Sequence, residues 1–292
     1  MSEPALDARC HVLTVDVEDW YHLTGEQIRG SGTLRPEILA RQIDRLLALL
    51  NQHDCRATFF CLGGSLSESP ELVRRIAEAG HEIGTHGWSH QPISQVGLDA
   101  FREDLCRSIR WLEDLLGCRV RGHRAPAFSV TAEQLEGFYD ICFEAGLEYD
   151  SSVFPIASRR YGIPDVRLEP HTVRVAGDRR LVELPLSTVR WLGRTWPVAG
   201  GGHWRVLPVG AIHASIRALT RLERPMVTYL HPYEFDTQRL SAFKAAGVGK
   251  RSLKHGLKQN LRRGSMYRKL DAVLAAHRFG AAEDYLRAAG RI

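Results

Sequence analysis

No stretch of this 292-residue chain approaches the roughly 20 consecutive apolar residues of a membrane-spanning helix. Residues 1–9 contain Glu3 and Asp7 and no apolar core, so no secretory signal is expected there. Six cysteines (Cys10, Cys55, Cys61, Cys106, Cys118, Cys142) show no paired metal spacing, which excludes a cysteine-ligated zinc module and argues against a disulfide scaffold. Reduced, mostly buried thiols and a cytoplasmic location are the expectation. Internal repeats, low-complexity segments and flexible linkers are missing too. The net charge of +5 comes with no nucleic-acid recognition motif, so a nucleic-acid partner is not expected.

What remains is an ordinary globular composition, 44% hydrophobic and 25% charged. Short segments at 11–15, 57–61, 82–84, 119–122, 147–149, 181–184 and 226–230 read as strands. Helical periods lie between them, at 38–50, 71–79, 101–116, 131–146 and 209–221, with another at 267–278. Strands alternating with helices argue for a parallel sheet, open or closed into a barrel. Residues 151–170 read as a long loop.

The chemistry-bearing residues fall at strand ends. His86 and His90, in Thr85-His86-Gly87-Trp88-Ser89-His90, stand four apart and would share one face of a helical turn. Asp16, Glu18 and Asp19 follow the first strand. Two imidazoles and one carboxylate suffice for a catalytic divalent ion, whose open position lowers the pKa of water to about 7. Arg124, Asp150 and His231 follow later strands. Each has a plain structural explanation alone: a surface charge, a helix cap, a histidine in a turn. Their joint placement is what points to a site, since barrel enzymes gather catalytic residues from the C-terminal ends of several strands.

The segments Leu13-Thr14-Val15-Asp16-Val17-Glu18-Asp19, Thr-His-x-x-x-His, Arg124-Ala125-Pro126-Ala127 and Leu230-His231-Pro232 resemble motifs of polysaccharide deacetylases of the NodB-homology class, carbohydrate esterase family four. More narrowly, 150–156, 160–164, 183–188 and 197–202 resemble the subgroup found with exopolysaccharide and exosortase gene clusters. The resemblance implies a distorted (β/α) barrel in one domain spanning 1–292, with a catalytic core at about 11–235 and a helical C-terminal extension at about 236–292. It implies metal-dependent removal of acetyl groups from N-acetylated sugars. Glu18, His86 and His90 would hold the ion, zinc by expectation, and Asp16 would be the general base. Arg124 would keep Asp16 ionised, the Ala127 N–H would face the oxyanion, and His231, oriented by Asp150, would protonate the leaving amine. Many relatives carry two adjacent aspartates where this chain has Asp-Val-Glu-Asp, so Asp19 is the alternative to Glu18. Trp20, Trp88, Trp204 and Phe128 are candidate sugar contacts, with buried packing as the competing role.

Two other readings compete. The two-His-one-carboxylate set also serves iron oxygenases, but those sit on jelly rolls, which the helical periods here oppose. A metal-free glycan-binding relative would have no need of Arg124 or His231. The expected partner is an N-acetylated glycan, or its lipid- or nucleotide-linked precursor. The basic run Lys250, Arg251, Lys254, Lys258, Arg262, Arg263, Arg268 and Lys269 is the candidate contact to an anionic carrier or membrane surface, or else a solvated helix face.

Overall fold

The computed structural model describes residues 10–18, 36–158, 161–238 and 260–292. Strands β1 (His11–Val12) and β2 (Thr14–Val17) are followed by β3 (Thr58–Cys61), β4 (Glu82–Thr85), β5 (Gly122–His123) and β6 (Tyr149–Asp150). Then come β7 (His171–Ala176), β8 (Arg179–Glu183), the hairpin β9 (Thr188–Trp191) and β10 (Arg194–Pro197), and β11 (Phe279–Gly280). The main sheet has the order β2-β3-β4-β5-β6-β8-β7. Every pairing in it is parallel except β7 with β8.

Residues 226–230 close this sheet into an irregular barrel, through ladder bonds rather than a regular strand. Val12 N donates to Met226 O at 2.8 Å and Leu230 N to Thr14 O at 3.0 Å. On the other side Ser187 N donates to Val227 O at 3.3 Å, and Val227 N to Ser187 Oγ at 2.7 Å. The two-residue period of the strands sorts the apolar side chains. Phe59 belongs to the large cluster shared with the outer helices, whereas Phe60 packs with Val12, Tyr149, Val182 and Val227. The parallel part of the sheet is covered on both faces, so every residue of β2 and β3 is buried, Thr14, Asp16 and Thr58 included.

The helices take the predicted period. Pro36–Gln52 buries Leu39, Ile43, Leu46, Leu49 and Leu50, and Ile93–Leu116 buries Phe101, Leu105, Ile109 and Leu112. The C-terminal segment is built into this wall. β11 pairs parallel with β1, Ala282 N donates to Thr58 Oγ1 at 2.8 Å, and Tyr285 and Leu286 join the cluster around Phe60. Part of the basic run is structural here, because Lys269 Nζ donates to Trp204, Arg205 and Leu207 carbonyls at 2.7–2.9 Å. Arg263 is buried and donates to Tyr233 O at 2.8 Å. Lys250, Arg251, Lys254 and Lys258 lie outside the described residues. Among the described residues no helix is long and apolar enough to cross a membrane.

Candidate active site

One end of the barrel collects Asp16 from β2, Glu18 just past it, His86 after β4, Arg124 after β5 and His231 after 226–230, and all five are buried. Glu18, His86 and His90 bring one ligand atom each to within 4.8 Å of one another.

The histidine pair does not sit on a helical turn as its spacing suggested. Residues 86–90 form a loop after β4, with Gly87 at φ +78° and His90 at φ +57°. Asp104, from Ile93–Leu116, holds this loop by accepting from Trp88 N at 2.6 Å and Ser89 N at 2.9 Å. A Cβ on Gly87 would lie 2.8 Å from the Asp104 carboxylate, so glycine is required for space as well as for its left-handed φ. The bend aims both imidazoles at Glu18, whose Oε2 is 2.5 Å from His90 Nε2.

His86 Nδ1 donates to the Arg124 carbonyl at 2.8 Å, which leaves its Nε2 lone pair for a metal. Burial pushes the His86 pKa down to about 4, so the ring is neutral at pH 7, as a ligand must be. Burial alone would raise Glu18, but His90, with His231 and His86, holds it well below the usual carboxylate range. Its Oε2 is buried against the His90 ring nitrogen. A buried carboxylate oxygen beside two imidazoles fits a divalent cation.

Arg124 is fully buried under the site. Its Nη1 donates to Asp16 Oδ1 at 2.8 Å and Thr14 Oγ1 at 2.5 Å. Nη2 donates to Ser151 Oγ at 2.8 Å, Nε to Ser151 O at 3.0 Å, and the guanidinium lies 4.4 Å over the Phe60 ring. Thr14 and Ser151 were not singled out from sequence. Both flank motif residues, but nothing in the spacing says that one arginine joins them.

His231 stands beside Glu18, with Nε2 3.3 Å from Oε1. Its second carboxylate neighbour is Glu234, not Asp150. Glu234 Oε2 accepts from His231 N at 3.1 Å and lies 3.7 Å from Nδ1. The expectation that Asp150 orients His231 is therefore corrected. Asp150 faces the neighbouring strand, where Oδ1 is 2.7 Å from His123 Nδ1, and it accepts from Ser152 N at 2.8 Å and Ser152 Oγ at 2.9 Å. Adjacent parallel strands β5 and β6 put His123 opposite Asp150, which engages the carboxylate away from His231. The spacing His231-x-x-Glu234 was the available signal. Burial lowers His231, but its hydrogen bonds to Glu18 and Glu234 and their charges outweigh this and raise it to about 10. A Cβ on Gly201 would come 1.8 Å from Glu234 Oε2, so a glycine there makes room for this carboxylate.

A second group, His123, Cys142 and Asp150, also gathers ligand-type atoms within 4.8 Å. Burial first, then Asp150 and Glu183, push the Cys142 thiol well above its usual range, so the thiolate that a metal requires is disfavoured. His123 already spends Nδ1 on Asp150.

Ala127 and Phe128 form a turn at the rim with φ of +53° and +52°. Non-glycine residues held there store about 1–3 kcal/mol each and concentrate at functional sites. Phe128 is nearly buried and packs on Phe154, Tyr161 and Tyr229. Trp204, a candidate sugar contact, is fully buried with Nε1 bonded to Val198 O at 2.7 Å, so it is core and no platform. Trp88 is half-buried between Gly63 and Arg107, whose guanidinium lies 3.9 Å over its ring, so that face is taken. Asp19 and Trp20 lie outside the described residues.

Residues 34–139 match the family model described as polysaccharide deacetylase. This segment therefore carries a polysaccharide deacetylase domain. Residues 151–287 match a second model, described only as a domain of unknown function (DUF3473). The deacetylase domain is 35% identical over 92 residues to a peptidoglycan-N-acetylglucosamine deacetylase of Bacillus cereus, covering 32% of this chain and 34% of that protein. It is 28% identical over 155 residues to a peptidoglycan deacetylase of Helicobacter pylori, covering 51% and 46%. The matches thus span about a third to a half of these curated relatives. Among solved structures, a Mycobacterium smegmatis protein of the polysaccharide deacetylase class aligns at a TM-score of 0.63 with 23% identity, covering 99% of this chain and 92% of that one. Puue allantoinase aligns at 0.60 with 14% identity, over 96% and 90%. These likenesses show the NodB-type barrel, and they show that a shared barrel leaves the substrate open.

Proposed function

We propose that this chain is a metal-dependent hydrolase that removes the acetyl group from the nitrogen of an N-acetylated bacterial glycan or its precursor. The observation that carries the reading is the convergence of the Glu18, His86 and His90 ligand atoms beside the Asp16–Arg124 pair and His231. Glu18, His86 and His90 hold the ion, and two imidazoles with one carboxylate favour zinc. When bound, the ion supplies Lewis acidity toward the amide oxygen and acidifies water.

The chain's own residues handle the protons. Water adds to the acetamide carbon, the C–N bond breaks, and acetate and a free amine leave. Asp16, held through Oδ1 by Arg124, accepts the proton of the attacking water. His231, held by Glu234, gives a proton to the departing nitrogen. Ala127 N–H donates to the oxygen on which charge develops. Glu234 is the positioning residue for His231, the part first assigned to Asp150.

The substrate we assign is an exopolysaccharide or its lipid- or nucleotide-linked precursor, supported by the resemblance of segments 150–156, 160–164, 183–188 and 197–202 to that subgroup. A cytoplasmic setting is supported by Cys10, Cys55, Cys61, Cys106, Cys118 and Cys142, which are all free thiols. The unassigned part of the basic run, Lys250 to Lys258, is the proposed contact to an anionic carrier.

The test is acetate release from zinc-loaded protein against a panel of N-acetylated oligosaccharides, lipid-linked sugars and nucleotide sugars. Wild type should release acetate from at least one, and Asp16→Asn should keep zinc yet lose about 10²-fold or more in turnover. Glycan binding with no acetate from any substrate would replace this reading with the non-catalytic one.

A further inference from the structure

Between Leu184 and Leu222 the chain has no aspartate or glutamate, yet it carries Arg190, Arg194, Arg205, Arg217 and Arg221. In the middle of this stretch the β9–β10 hairpin stands out from the barrel with its apolar side chains in solvent. Trp191 is 64% exposed, Leu192 80% and Trp196 45%. Soluble proteins seldom leave such a cluster uncovered without a partner.

The geometry orders these residues by height. The register pairs Trp191 with Arg194 and Trp196 with Val189, so Val189, Trp191, Arg194 and Trp196 share one face. Leu192 and Gly193, at φ +51° and +71°, form the two-residue turn at the apex. The first position of such a turn usually takes Asn, Asp or Gly, because φ is positive there. This hairpin puts an exposed leucine at its tip instead. Below it stand two indoles with centroids 6.4 Å apart, flanked along the strands by Arg190 and Arg194.

We propose that the hairpin Thr188–Pro197 seats on the surface of an anionic lipid bilayer. Leu192 enters the acyl boundary, Trp191 and Trp196 lie at headgroup depth, and Arg190 and Arg194 meet lipid phosphates. The ordering favours lipid over a sugar chain. An aliphatic apex offers nothing to a sugar, and the indole planes meet at 58° instead of forming one flat stacking platform. The docking stands apart from the hydrolytic reading. Its consequence for catalysis rests on that reading: the hairpin is rooted at Ser187 and Gly200, which pair with Val227 and Tyr229 just before His231. A seated hairpin therefore holds the site mouth at the membrane, where a lipid-linked glycan lies.

The experiment is co-sedimentation of the full chain with phosphatidylcholine vesicles, with and without phosphatidylglycerol, with circular dichroism as the check on folding. Wild type should pellet with the anionic vesicles, and the variant Trp191→Ser, Leu192→Ser, Trp196→Ser should partition at least about tenfold less. Arg190→Glu with Arg194→Glu should lose at least about fivefold per arginine on anionic vesicles. Failure of wild type to pellet would overturn the proposal, as would equal binding by the folded triple-serine variant, which would move the contact elsewhere. Wild-type binding to soluble N-acetylated oligosaccharides, lost in the triple-serine variant without any vesicle binding, would overturn it in favour of a glycan platform.

Discussion

Arg124→Gln should be the most damaging single polar substitution in the barrel. The guanidinium has no exposure, makes four hydrogen bonds, and is the cation beside the buried Asp16 carboxylate. Glutamine can replace one donor but not the charge. Breaking a buried ion pair in this way costs about 3–5 kcal/mol, most of it from the charge left behind. The leftover charge makes the reasoning testable: Asp16→Asn in the same chain removes it and should return about 1–2 kcal/mol through pairwise coupling. The assay is urea unfolding in chelator, so that metal affinity does not enter, with circular dichroism and tryptophan fluorescence required to coincide. With a slope of about 3 kcal/mol/M, the single variant should lose roughly 1–1.7 M in midpoint. A single variant within about 1 kcal/mol of wild type, or a double variant no more stable than the single, would refute the assignment of Asp16 and Arg124 as a buried, mutually dependent pair.

Gly201→Ala places a methyl group where Glu234 Oε2 now lies, so it should lower turnover sharply while zinc content stays at the wild-type level; unchanged turnover would remove Glu234 from the account. His231 also shapes the stability curve of the metal-free protein. Its pKa is raised from 6.5 to about 10, so its contribution is complete below about pH 6.5 and fades as pH rises toward 10. Wild type should therefore lose more stability than His231→Gln between these limits, and parallel curves would contradict the raised pKa.

Much of this site was legible because each member lies at or shortly after the end of a predicted strand, and a parallel barrel brings strand ends together whatever their distance in sequence. Asp16, Glu18, His86, His90, Arg124 and His231 were found on that ground. What failed depended on contacts across the barrel. Asp150 pairs with His123 because β5 and β6 are neighbours, and strand order is not written in the spacing of either residue. The His86–His90 loop owes its shape to Asp104, on a helix that begins after the loop ends. Trp204 read as a platform because aromatic exposure has no local signature; its indole reaches Val198 O only after the chain folds back. The β7–β8 and β9–β10 pairings were only partly visible, since their polar, arginine-rich faces weaken the alternation that marks a strand.

The proposed hydrolysis depends on Glu18, His86 and His90 together holding one ion. Equilibrium dialysis against zinc followed by elemental analysis, on wild type, His86→Ala, Glu18→Gln and Asp19→Asn, tests it most directly. Wild type and Asp19→Asn should hold stoichiometric zinc, and His86→Ala and Glu18→Gln should lose nearly all of it with circular dichroism unchanged. Full zinc occupancy in a folded His86→Ala protein, or loss in Asp19→Asn with retention in Glu18→Gln, would contradict this ligand set.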